Sequence, residues 1–238
     1  MTRRRVLVAP EDVDRAVARP GPDALHHLVD VLRLGPGASV EVFDGRGGVW
    51  EATFTGTELR LGQRREAPPP AAAVWVAFAL AKGEKVDWVI QKATELGAAR
   101  LVPWRAERSV VRLEGARAEE RVGRWRRIAA EAARQCGRSE VPGVALAEGL
   151  PGALEAPAGF ARIAFHAGAG ASFAEAVPRA APGYLAVIGP EGGLTDREVR
   201  ACVEAGCRLA TLGPRVLRAE TAAIAAAALL QYFAGDLG

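Results

Sequence analysis

The chain has 238 residues, 50% of them hydrophobic and 25% charged, with a formal net charge of +3. That length and balance allow a hydrophobic core without disulfide staples and exclude a disordered chain. The apolar run over residues 221–230 is mostly alanine and too short for a membrane span. The basic start is cut off by Pro10 before a signal-peptide core develops, so a cytoplasmic location without membrane contact is expected. Cys136, Cys202 and Cys207 lack CxxC spacing, so they read as small buried side chains, with neither a disulfide framework nor a metal site. There is no asparagine, and arginine far outnumbers lysine, a bias shared by thermophiles and by GC-rich genomes.

In chain order, residues 5–9 form a short apolar strand and residues 23–34 fit a helix with Asp23 as candidate cap. His26 and His27 are adjacent, so they leave the helix on different sides and do not form a metal pair. Arg33 at the end of that helix suits either a phosphate contact or complementation of the helix dipole. Residues 39–43, 49–55 and 58–61 read as strands joined at Asp44-Gly45 and Gly56. These segments make a small barrel-like unit over residues 1–68. The prolines at 68, 69 and 70 form a semi-rigid spacer.

From residue 74 to 238 strands and helices alternate. Strands are expected at 74–80, 100–104, 161–165, 184–188 and 208–212, and helices at 85–96, 116–136 and 221–231, which predicts an α/β domain with a largely parallel sheet. The positive field is concentrated on residues 67–145, with fourteen basic and nine acidic side chains, and on the tip Arg3, Arg4, Arg5. Within the long helix Arg117, Arg121, Arg124, Arg127, Arg134 and Arg138 occupy an arc of roughly 140°, beside an apolar arc carrying Trp125 and Ala129. An arginine face of this kind suits a polyanion or plain solubility. Lys82 and Lys85 follow the first strand of the domain, at the sheet end where α/β folds hold ligands, and read as RNA-facing. Gln91, Thr94 and Glu95 suit either a surface contact or packing.

Two glycine-bearing turns organise the last third. The apolar run 184–188 stops at Gly189-Pro190, and Thr195 with Glu198 has the reciprocal capping pattern of a helix start. The run 208–212 stops at Gly213-Pro214 before an alanine-rich helix. Both turns would lie beyond the carboxyl ends of parallel strands, as walls of one ligand site or as ordinary connections. The P-loop, GxGxxG, GxSxG and HExxH patterns are missing, so the corresponding nucleotide, dinucleotide, hydrolase and zinc chemistries are unsupported.

Gly189-Pro190-Glu191-Gly192-Gly193, with the block from Leu212 to Ala222, resembles the C-terminal signature of the SPOUT methyltransferases and most closely the RsmE family, which methylates N3 of a uridine in 16S ribosomal RNA. His26 to Arg33 and Phe43-Asp44-Gly45 resemble that family's PUA-like RNA-binding domain. The resemblance implies a SPOUT parallel sheet with a C-terminal trefoil knot, and S-adenosylmethionine as cofactor. It also implies 16S rRNA or the 30S subunit as partner, and a homodimer. The cofactor would lie among Phe165, His166, Gly168; Ile188, Gly189, Pro190, Glu191, Gly192, Gly193; and Leu212, Gly213, Val216, Leu217, with His166 as pocket wall. RNA would be held by Arg3, Arg4, Arg5, Arg33, Lys82, Lys85, Arg105, Arg108, Arg112, Arg124 and Arg138. Arg218 would stabilise the uridine anion and orient the base, and Glu220 would accept the proton or hold Arg218. Two alternatives remain: a SPOUT enzyme acting on another RNA or a ribose 2′-oxygen, and a non-catalytic RNA-binding assembly factor.

Overall fold

The computed structural model describes residues 4–66, 72–109 and 111–237. Arg3 and residues 67–71 of the spacer lie outside them. The chain divides into two units, residues 1–69 with 130–141 and residues 70–129 with 142–238. A single cut at the spacer does not describe this division, because residues 130–141 group with the first unit.

The first unit contains β1 (Arg5–Leu7), β2 (Val13–Asp14), β3 (Val17–Ala18), α1 (Pro22–His26), β4 (Ser39–Phe43), β5 (Gly48–Phe54) and β6 (Leu59–Glu66). Its sheet runs β1-β4-β5-β6-β3-β2, antiparallel except where β1 lies parallel to β4. Val6, Leu28, Val42, Phe54 and Leu59 form its core. The β2–β3 hairpin escapes sequence reading because two residues cannot display a period. The helix cap is Gly21, with Pro22 in the first turn, whereas Asp23 lies inside that turn and makes no cap hydrogen bond. After α1 the helix widens into a π turn over His27–Val31. It ends on Arg33, which takes the left-handed conformation (φ 52°) while Leu34 N–H donates to Leu28 C=O at 2.9 Å. Arg33 thus does the chain-reversing work commonly given to glycine, and its side chain is exposed.

The second unit contains β7 (Ala73–Ala79), α2 (Lys85–Glu95), β8 (Arg100–Trp104), α3 (Gly115–Cys136), β9 (Gly143–Val144), α4 (Leu150–Ala153), β10 (Ala161–Phe165), α5 (Phe173–Ala176), β11 (Gly183–Ile188), α6 (Asp196–Glu204), β12 (Arg208–Ala210) and α7 (Ala219–Ala234), the last turns of α3 grouping with the first unit. All pairs in its sheet are parallel, in the order β12-β10-β11-β7-β8-β9. Every residue of β11 is buried, as expected of a strand covered on both faces. α7 packs on β7, β11 and α2. That approach explains Gly97 after α2: its φ is 95°, and a Cβ would fall 2.4 Å from Gln231 Nε2 on α7. Cys202 and Cys207 are buried and Cys136 is exposed, which corrects the third of the expected buried cysteines.

Two arginines expected on the RNA-facing surface make bonds within the fold: Arg5 is buried, while Arg124 stays exposed and also pairs with a carboxylate. Within the first unit, Arg5 is 6% exposed. Its Nε donates to Glu41 at 2.6 Å, its Nη1 to the carbonyls of Ala133 at 3.1 Å and Arg134 at 3.3 Å, and its guanidinium lies 4.4 Å from the Phe43 ring centroid. The carbonyls near the end of α3 need donors, and Arg5 supplies them. Within the second unit, Arg124 Nε donates to Asp87 at 2.9 Å, and the same carboxylate accepts from the buried Trp125 Nε1 at 3.0 Å. The carboxylate satisfies an indole N–H that the core would otherwise strand, and Arg124 neutralises it.

Arg5→Met should lower the stability of the first unit by about 2 kcal/mol, because it removes the buried guanidinium from Glu41, which keeps its contact with Arg65, and takes the side-chain donor from two helix-end carbonyls. Urea unfolding followed by hydrogen exchange of the β4 and β5 amides checks this. An unchanged midpoint would return Arg5 to the surface role.

Candidate functional site

The carboxyl ends of β10, β11 and β12 deliver three segments to one cleft of about 420 Å³. Phe165 and His166 line it from the first; Ile188, Gly189, Pro190, Glu191, Gly192 and Gly193 from the second; Leu212, Val216 and Leu217 from the third. Gly168 and Gly213 do not line the cleft and instead shape its loops. A Cβ on Gly168 would lie 2.9 Å from His166 Nε2, and Gly213 turns the chain at φ 110° with its N–H donating to Thr211 Oγ1 at 3.2 Å. The sequence reading missed Arg108, Leu194, Asp196, Thr211, Ala219 and Ala222 as lining residues. Leu194 and Thr211 directly flank the expected turns and Asp196 opens the capped helix, so these three had a signal. Arg108 reaches the cleft from the connection after β8, and only its basic character marked it.

The second segment is held rigidly, for reasons that can be traced residue by residue. Trp104 Nε1, buried, donates to Ile188 C=O at 3.2 Å and fixes the end of β11. A Cβ on Gly189 would stand 3.0 Å from the backbone and side chain of Leu194, so the turn closes this tightly only on glycine. Gly193 is left-handed at φ 72° and its N–H donates to Pro190 C=O at 2.8 Å. Arg108 Nη1 donates to Gly192 C=O at 2.9 Å. The expected capping box is present: Glu198 N–H donates to Thr195 Oγ1 at 3.1 Å, and Thr195 N–H to Glu198 Oε2 at 2.8 Å. The other oxygen of Glu198 accepts from Glu107 N–H at 2.9 Å. This buried carboxylate therefore ties the start of α6 to the segment that carries Arg108.

Three charged side chains from distant parts of the sequence meet beside the cleft. Lys85 Nζ lies 2.8 Å from Glu191 Oε1 and 3.5 Å from Glu220 Oε1. The hydrogen bond with Lys85 holds the Glu191 carboxyl below its usual range, and the same bond raises the Lys85 ammonium. Glu220 sits in the first turn of α7, 7% exposed, and its Oε2 is buried without a hydrogen-bond partner. It does not hold Arg218. Arg218 is the N-cap residue of α7, exposed, and its guanidinium makes no hydrogen bond or ion pair among the described residues. Lys85, expected to face RNA, is instead shared between two carboxylates.

The remaining basic candidates separate into paired and open. Arg4, Lys82 and Arg112 are exposed. Arg105 is paired with Glu114 at 2.7 Å and donates to Glu148 C=O at 3.2 Å, and Arg138 is half-buried. Among the described residues no group of three or more His, Cys, Asp or Glu side chains is placed to hold a metal ion, and no helix is long and apolar enough to cross a membrane.

An RNA methyltransferase domain family matches residues 68–231, and an RNA methyltransferase PUA domain family matches residues 20–60. Proteins named ribosomal RNA small subunit methyltransferase E are 34% identical in Bacillus subtilis, over 88% of this chain and 88% of theirs, and 34% identical in Mycobacterium tuberculosis, over 89% and 84%. A Neisseria gonorrhoeae enzyme of that name, solved bound to S-adenosylmethionine, superposes with a TM-score of 0.87 at 28% identity, covering 97% of each chain. A Legionella pneumophila protein, solved with the same cofactor, gives 0.89 at 28% identity, covering 98% of each.

Glu198→Ala should cost about 2 kcal/mol by orphaning two backbone amides, and should loosen the link between the Glu107 segment and α6. Amide hydrogen exchange should accelerate at Glu107 and Thr195 together. Acceleration at Thr195 alone would mean that the bond to Glu107 is not made.

Proposed function

We infer that the methyl acceptor is N3 of a uridine, from the premise that the chain belongs to the ribosomal RNA small subunit methyltransferase E, or RsmE, family and is an S-adenosylmethionine-dependent methyltransferase of 16S rRNA. The observation that carries the cofactor reading is the cleft built from three loops at the carboxyl ends of adjacent parallel strands, the position where α/β sheets hold ligands. Its chemistry fits the molecule. Val216 is an 83% exposed valine in the cleft wall beside Leu217, an apolar surface that a flat adenine would cover. Glu191, kept ionised by Lys85, suits the positive charges of the amino-acid end and the sulfonium. Backbone groups of the 188–193 segment would read the edge of the base.

When bound, S-adenosylmethionine supplies a methyl carbon on a sulfonium, whose C–S bonding pair leaves with the sulfur. The chain's own contribution is positioning and electrostatics. Uracil N3 carries a proton that must leave before it becomes a nucleophile, and a cation beside it favours the anion. Arg218, exposed at the N-cap of α7 between the lining residues Leu217 and Ala219, is our candidate for that cation and for orienting the base. Glu220 is buried and engaged with Lys85, so its role is to hold the site rather than to reach the uracil.

RNA binding is assigned to the PUA-like unit over residues 1–68 and to the exposed Arg4, Arg33, Lys82 and Arg112, with catalysis in residues 74–238. The cytoplasm, where ribosomal RNA is processed, is the matching location. The path from β12 at the sheet edge to α7 against β7, β11 and α2 supports a C-terminal trefoil knot. Trp88 on α2, and Leu229 and Tyr232 on α7, are large exposed apolar side chains on two helices that pack together. They support a homodimer formed through this face.

Purified protein incubated with methyl-labelled S-adenosylmethionine and undermethylated 30S subunits or 16S rRNA should place the label in 3-methyluridine. Arg218→Ala should lower kcat by about 100-fold or more while leaving cofactor affinity nearly unchanged. Label in a ribose or in another base would overturn the N3 assignment, and an active Arg218→Ala enzyme would overturn the role of the arginine.

A further inference from the structure

Lys85 is the first residue of α2, yet its ammonium serves two segments more than a hundred positions away. It is 2.8 Å from Glu191, a side chain 48% exposed in the cleft wall, and 3.5 Å from Glu220, a side chain 8% exposed at the start of α7. The two carboxylates differ in what they can do. Glu220 is closed off, with its Oε2 buried and unpartnered, a costly state for a carboxylate unless a cation and favourable dipoles neutralise it. The amino end of α7 supplies the dipoles, and Lys85 the cation. Glu191 is the member of the pair that a ligand in the cleft can touch. Lys85 is divided between the two carboxylates, so the exposed oxygens of Glu191 offer a cation in the cleft a direct partner.

We propose that Lys85 is a positioning residue for cofactor binding: anchored on the buried Glu220, it fixes Glu191 in the cleft wall as an ionised carboxylate that receives the positively charged methyl donor. This rests on the reading that the cleft takes S-adenosylmethionine. It replaces an RNA-facing role for Lys85 and a proton-accepting role for Glu220. The three residues join the start of α2, the glycine turn after β11 and the start of α7, so the ion cluster also sets the distance between the cofactor loop and the helix that carries Arg218.

The charged and titratable groups around Glu191 are Lys85 on α2, Lys82 just before it, Glu220 on α7, Asp196 at the start of α6, Arg108, which is bound to the carbonyl of Gly192, and, in the other walls of the cleft, His166 and Arg215. Only Lys85 bonds the carboxylate directly among these. The sign of its effect follows: a cation at hydrogen-bond distance holds Glu191 ionised to lower pH, so losing that cation makes Glu191 protonate, and release a cationic ligand, at higher pH.

Calorimetric titration of S-adenosylmethionine into the ligand-free protein from about pH 4 to about pH 8 tests this. The acid midpoint of binding should rise by about one pH unit in Lys85→Met and return in Lys85→Arg. Glu191→Gln should bind more weakly and lose the acid limb, while Glu220→Gln, which leaves Lys85 wholly to Glu191, should not raise the midpoint. Circular dichroism of each variant confirms the fold. A Lys85→Met midpoint equal to that of the wild type, or an affinity reduced by the same factor at every pH, would overturn the positioning role. Failure of the wild type itself to bind the cofactor would overturn the reading of the cleft, and this inference with it.

Discussion

The parallel placement of β11 between β10 and β7 is the constraint on which the catalytic unit depends. All six residues of β11 are buried, and even its first position is shaped by packing, since a Cβ on Gly183 would fall 2.2 Å from the Phe160 ring. A strand with no solvent-facing side requires helices on both faces of the sheet and ends all its parallel neighbours on one edge. At that edge the chain must turn from strand to helix three times within a small volume. The turns after β10, β11 and β12 become the walls of the cleft for this reason, and the glycines in them answer to close approach at Gly168 and Gly189 and to left-handed backbone at Gly193 and Gly213.

A second theme is the use of cations inside the fold. Arg5 is aimed at the carbonyls near the end of α3, Arg124 neutralises the aspartate that satisfies an indole, and Lys85 bridges a buried and an exposed carboxylate. Each neutralises or satisfies polar groups that would otherwise be unfavourable in a low-dielectric setting. The count of 31 Lys and Arg residues therefore overstates the cations offered to RNA, because several of the most suggestive basic residues are already paired with acceptors of the chain itself.

The sequence was most legible where local patterns decide structure. The strands at 100–104 and 161–165, the helix end at Gly97 and the Thr195–Glu198 capping box follow from period, handedness and cap chemistry, and the structure has them. Most of the cleft was legible too, because two of its walls are contiguous glycine turns. What escaped was long-range. Nothing near Lys85 announces Glu191 or Glu220, nothing near Arg5 announces Ala133, and Arg108 reaches the cleft across a sequence separation of 84 residues to Gly192. The hairpin at 13–18 and the short α4 and α5 are below the length at which a period can be seen. Charge runs were the weakest guide, because a guanidinium facing a carboxylate and one facing solvent look alike in sequence.

The central claim is that the loops after β10, β11 and β12 form the S-adenosylmethionine site. A crystal structure of the protein grown with S-adenosylmethionine tests it most directly. The account predicts the adenine over Val216 and Leu217, with the molecule enclosed by the 165–167, 188–194 and 211–217 segments. The ligand seated elsewhere, for example in the groove between the first turns of α3 and residues 145–148, would contradict it.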